Sequence, residues 1–92
     1  MISEQDKATI VDIARRYDVR GVFLFGSSSD PNRDANDIDL AVEGIVPQAF
    51  FSFYGDLLFA LSKPVDVIDL SNDTKFNRLV YREGIRLYGR SA

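Results

Sequence analysis

Leu24-Phe25-Gly26-Ser27, a nine-residue polar loop, and then Asp37-Ile38-Asp39-Leu40-Ala41-Val42 form the stretch from which the rest of the chain can be read. An apolar strand runs into a Gly-Ser turn, crosses the loop and re-enters the core as a second strand. Strand side chains alternate faces, so Asp37 and Asp39 are expected on one face and Ile38, Leu40 and Val42 on the other. Two like charges this close raise one pKa unless a cation lies between them. A hard divalent ion such as Mg2+ binds carboxylate and phosphate oxygens together, so it suits such a pair. Gly26 allows close backbone approach, and Ser27 with the N–H groups that follow can bond phosphate oxygens.

A third carboxylate, Asp66, lies in the later apolar run Val65-Asp66-Val67-Ile68-Asp69-Leu70. A charge inside a short hydrophobic strand is costly unless it is paired or metal-bound. Asp69 falls on the opposite strand face and reads as structural. Taken alone, Asp37 and Asp39 could be solvated acids opening a strand, Ser27 a helix cap and Asp66 a rim acid. Together with the Gly-Ser turn they read as a metal and nucleotide site, with Asp37, Asp39 and Asp66 as metal ligands.

Gly26-Ser27, nine residues, and Asp37-Ile38-Asp39 resemble the signature of the DNA polymerase beta-like nucleotidyltransferase superfamily. The phrases LFGSSSDPNRDANDIDLAV and KPVDVIDL are similar to its minimal nucleotidyltransferases, the MNT half of HEPN/MNT toxin–antitoxin pairs. The resemblance runs from about Val19 to Gly89. It implies that Gly26 and Ser27 hold the nucleotide phosphates and that Asp37 and Asp39 ligate two Mg2+ ions. Asp66 would be the third carboxylate, helping to activate the acceptor hydroxyl. It further implies ATP as donor and a tyrosine hydroxyl of a cognate HEPN toxin as acceptor. Relatives commonly have Arg directly after Gly-Ser and a loop one residue longer. Here Ser28 follows, and Arg33 is a candidate for the missing cation by location only.

Composition bounds the alternatives. Ninety-two residues are expected to form one domain, 1–92, with a single modest core. A hydrophobic content of 46% with 12% aromatics argues for a folded domain. The net charge of −3 gives no basic footprint, so direct nucleic-acid binding and template-holding polymerase activity are not expected. With neither histidine nor cysteine, zinc hydrolase, Ser-His and Cys-His schemes are excluded, as is any disulfide. No apolar run approaches a membrane span and no signal-peptide pattern opens the chain, so a soluble cytoplasmic protein is expected.

The remaining elements follow from period and punctuation. Residues 3–18 read as a helix capped by Ser3, with Asp6 at the capping-box position and Ile10, Ile13, Ala14 and Tyr17 inward. Val22–Phe25 is apolar on both faces, the mark of a central strand. Ser28–Asn36 is a loop, its serines, Asp30 and Arg33 ordinary loop residues. Pro47 opens a helix to about Leu61 whose stripe Phe50, Phe53, Tyr54, Leu57, Leu58 and Leu61 is widened by Phe51 and Phe59. Gly55 inside it suggests close packing. Strand 65–70 follows, then a helix capped by Asn72 or Asp73, with Phe76, Leu79 and Val80 inward and Gly84 as its stop. Ile85–Tyr88 is a short edge strand. The order α-β-loop-β-α-β-α-β predicts a small α/β domain, a mixed sheet with flanking helices and the polymerase beta palm-like fold.

Two functions compete. The first is the Mg2+-dependent nucleotidyltransferase acting on a partner protein. The second is a non-catalytic, nucleotide-binding interaction module that neutralises its partner by contact through the aromatic helix, with the nucleotide site vestigial or regulatory; a homo-oligomer is a further partner the chain allows. Nucleotide transfer to a small molecule such as an aminoglycoside ranks below both, because no appended acceptor domain is evident.

Overall fold

The computed structural model describes residues 2–32 and 36–89. In chain order these form α1 (Glu4–Arg16), β1 (Gly21–Phe25), a 3-10 turn (Gly26–Ser29) and β2 (Ile38–Glu43). A second 3-10 turn (Pro47–Ala49), α2 (Phe50–Ala60), β3 (Val65–Asp69), α3 (Lys75–Glu83) and β4 (Ile85–Gly89) follow. The sheet order is β3-β2-β1-β4. β1 is antiparallel to both β2 and β4, whereas β3 runs parallel to β2 across the α2 crossover. The sheet is therefore mixed, β1 is central and β4 is an edge, as the sequence predicts.

Alternation divides the strands between two layers. Ile38, Leu40 and Val42 join Val22, Leu24, Val65 and Val67 against α1 and α2, which contribute Ile10, Ile13, Phe53 and Leu57. The opposite face packs Phe23, Ala41 and Leu70 against Val80 of α3. Ser3 caps α1 by accepting from the Asp6 N–H at 3.1 Å. The Asp6 carboxylate does not reach back to close a capping box. It is buried, accepts from the Ser62 N–H and hydroxyl, and ties α1 to the segment before β3.

Several local expectations are corrected. The polar segment after β1 begins with a helical turn over Gly26–Ser29 rather than as open loop. Pro47 opens a 3-10 turn, and α2 proper starts at Phe50. Thr74, not Asn72 or Asp73, caps α3, its hydroxyl accepting from the Asn77 N–H at 3.0 Å. Asn72 instead gives its carbonyl to the buried Asn77 amide at 2.8 Å, and Asp73 pairs with Arg78. Phe76 and Leu79 are not core residues: they are 51% and 40% exposed, because α3 meets the sheet chiefly through Val80. Gly84 does end α3, but with extended backbone; glycine is needed because a Cβ would stand 2.6 Å from the Val80 carbonyl. Gly55 permits no close packing, since nothing lies within 4 Å of where its Cβ would be. No helix among the described residues is long and apolar enough to cross a membrane.

Candidate metal and nucleotide site

Asp39 of β2 is the register partner of Asp66 in the parallel β3. Partners in a ladder present their side chains to the same face, here the one covered elsewhere by α3. Asp39 is half-buried, and Asp37 and Asp66 are exposed. Burial pushes the Asp39 carboxyl above the usual carboxylate range, and the charges of Asp66 and then Asp37 push it further. Asp37 and Asp66 thus both act on Asp39, although Asp66 comes from a separate part of the chain. Asp37 departs from the expected strand geometry: β2 begins at Ile38, so Asp37 sits on the bend before it.

Among the described residues, no group of three or more acidic side chains is already set to hold a metal ion. The donor chemistry nevertheless suits Mg2+, which is commonly held by one or two carboxylates and completed by phosphate oxygens and water. Asp39 and Asp66 are such a pair, and their mutual repulsion in a half-buried setting is what a divalent cation relieves.

The turn beside them is built around Gly26. Its φ of +68° lies in the left-handed region that L side chains rarely adopt. A Cβ there would also come within 2.7 Å of Asp39 Oδ2. The glycine therefore lets the turn close directly onto the acid. Ser27 follows, half-buried on the same turn.

Two residues read from sequence as ordinary prove to be part of the support. Ser28 is fully buried; its hydroxyl donates to the Phe25 carbonyl at 2.8 Å and accepts from the Asp39 N–H at 3.1 Å. It pins the turn to β2 at the acid itself. The signal was the run of three serines, since a serine closing back on the carbonyl three residues earlier is a common local bond. Tyr54, assigned to the α2 stripe, donates its hydroxyl to Asp66 Oδ1 at 3.3 Å. No pattern in the sequence marks that contact, which depends on α2 lying beside β3. Arg33 lies outside the described residues.

The family model described as "Polymerase beta, Nucleotidyltransferase" matches residues 8–92. The chain belongs to this family. Among solved structures, a chain of a toxin–antitoxin complex with AMP-PNP superposes on this nucleotidyltransferase domain with a TM-score of 0.74 at 30% identity. The match covers 91% of this chain and 73% of that one. A chain of the MntA-HepT toxin–antitoxin complex gives 0.72 at 26% identity, over 96% and 74% of the two chains. A chain of the tri-AMPylated Shewanella oneidensis HEPN toxin in complex with MNT antitoxin gives 0.70 at 28%, over 92% and 71%. No curated protein matches the chain. The nucleotidyltransferase fold and the likeness to MNT domains expected from the Gly-Ser and Asp-x-Asp spacing are both borne out.

Proposed function

We propose that this domain is an Mg2+-dependent nucleotidyltransferase that moves AMP from ATP to a tyrosine hydroxyl of a HEPN-family toxin, and thereby acts as that toxin's antitoxin. The observation that carries this reading is the register pairing of Asp39 with Asp66 beside the Gly26 turn. The solved complexes support the choice of donor and partner: one contains AMP-PNP and another an AMPylated HEPN toxin bound to an MNT antitoxin.

In this mechanism Asp37, Asp39 and Asp66 hold the metal, and Gly26 and Ser27 hold the phosphates. When bound, Mg2+ would neutralise charge on the triphosphate and lower the pKa of the attacking hydroxyl. The acceptor oxygen forms a bond to the α-phosphorus, the bond to the bridging oxygen breaks and pyrophosphate leaves. Asp66 receives the acceptor proton, and the Tyr54 hydroxyl orients its carboxylate. Ser28 fixes the distance between turn and acid, so the work of the chain is chiefly positioning and charge placement.

The test uses purified domain, HEPN partner, Mg2+ and ATP labelled at the α-phosphate. Labelled partner is expected with the wild type and not with Asp39→Asn or Asp66→Asn. Labelling that persists in both variants, or that is absent with the wild type, overturns the reading.

One observation favours a second reading, neutralisation by contact. Phe51 and Phe59 are 82% and 95% exposed, and with Gly55 they occupy i, i+4 and i+8 on α2. The open space over Gly55 makes a notch between two rings on the same helix face, a shape suited to a partner's aliphatic side chain. Partner neutralisation that survives Asp39→Asn but fails with Phe59→Ser selects this reading over the first.

A further inference from the structure

The sheet face that carries Asp39 is not sealed by α3. Phe76, Leu79, Val80 and Glu83 stand at i, i+3, i+4 and i+7, one stripe of the helix turned toward the sheet. Val80 reaches the core, but Phe76 and Leu79 stop short of it. Between this stripe, Phe25 and the turn residues Gly26 and Ser29 lies a cavity of about 390 Å³. That volume is in the range of small-molecule sites, which are typically apolar with a few convergent polar groups. Here the walls are Phe25, Phe76 and Leu79, and the polar lining residues are Glu83, exposed at the rim, and Ser29.

Position gives the cavity its meaning. Phe25 is the antiparallel partner of Asp39, and Asp39 is the parallel partner of Asp66. Cavity, glycine turn and acids therefore succeed one another across a single sheet face, one strand spacing of roughly 4.8 Å at a time. Phe25 and Phe76 meet edge to face, with centroids 5.7 Å apart and planes at 80°, which leaves the faces of the edge-on ring uncovered by its partner. A nucleoside triphosphate has the matching sequence of parts: a flat ring with apolar faces, a sugar, then phosphates. Glu83, as a carboxylate, can only accept hydrogen bonds, so it favours a base edge bearing an exocyclic amino group over one bearing a carbonyl.

We infer that the cavity between α3 and β1 seats the base of the nucleotide substrate against the Phe25–Phe76 ring pair, and that Glu83 selects amino-bearing bases such as adenine over uracil. The inference rests on the nucleotidyltransferase reading above and adds the base-binding residues to it.

Calorimetry on the intact domain with Mg2+ tests it, using ATP, UTP and inorganic tripolyphosphate as probes. The wild type is expected to bind ATP more tightly than either UTP or tripolyphosphate. Phe76→Ala is expected to weaken ATP about tenfold or more, the scale of one lost base stack, and to leave tripolyphosphate binding unchanged. Glu83→Gln is expected to narrow the preference for ATP over UTP. Equal binding of ATP and tripolyphosphate by the wild type overturns the base pocket while the metal and phosphate site stands. So does a Phe76→Ala variant that binds ATP normally, or that loses both probes equally. Failure of the wild type to bind any probe overturns the parent reading and the pocket with it.

Discussion

Asp39 holds a charge that the folded chain disfavours. Its folded pKa is raised above the ordinary 3.8, so between the two values the native state binds more protons than the unfolded chain. Stability from this group is present below 3.8, falls as pH rises through the raised pKa, and is absent at neutrality. Asp39→Asn is therefore expected to melt at a higher temperature than the wild type at pH 7, with the difference closing as pH falls below 3.8. Mg2+ should separate the two proteins. It should stabilise the wild type by about 1.4 kcal/mol at ten times its Kd and leave Asp39→Asn unmoved, as thermal melts with and without the ion will record. Ser28 makes a different prediction. Ser28→Ala removes the acceptor of the Asp39 N–H and the donor to the Phe25 carbonyl, so a loss of about 1–3 kcal/mol is expected in urea unfolding.

The helices separate what sequence period can tell from what it cannot. β2 and β3 were legible because a lone acid set between apolar neighbours, Asp39 between Ile38 and Leu40 and Asp66 between Val65 and Val67, fixes both the strand and the acid's face. The cap of α3 was not, since Asn72, Asp73 and Thr74 are all good capping residues in a row, and only the tertiary use of Asn72 by Asn77 singles out Thr74. Nor could helical spacing distinguish a helix that seals from one that stands off, so Phe76 and Leu79 read as core. The two mid-chain glycines make this concrete. Gly55→Ala is expected to stabilise by up to about 1 kcal/mol, because helix propensity improves and no neighbour is touched. Gly84→Ala is expected to destabilise, because the new methyl would press on the Val80 and Leu24 carbonyls. Paired chemical denaturation of the two variants checks both signs.

Taken as one body, the domain has an occupied face and a vacant one on α2. Phe53 and Leu57 are buried on its inner side, while Phe51 and Phe59 stand in solvent. Replacing both exposed rings with serine is expected to leave the melting temperature within about 4 °C of wild type, the shift that a net surface change of about ±0.5 kcal/mol gives in a domain of this size. The same variant is expected to aggregate less, which light scattering would detect. The candidate site divides in the same way between the readable and the unreadable. Asp39 and Gly26 could be singled out from spacing, and Asp66 from its place in an apolar strand together with the family resemblance. Tyr54 beside Asp66 could not, because that proximity exists only once the crossover helix has settled next to its strand.

The ladder between β2 and β3 has a last consequence. Side chains alternate strictly along a strand, so sliding β2 by a single residue would turn both of its teams around together. Ile38 and Leu40 would surface on the face of the proposed metal site, and Asp39 would be driven among the leucines. Misthreaded molecules would thus be both unstable and inert, and any copy able to do chemistry must already have assembled its interior correctly.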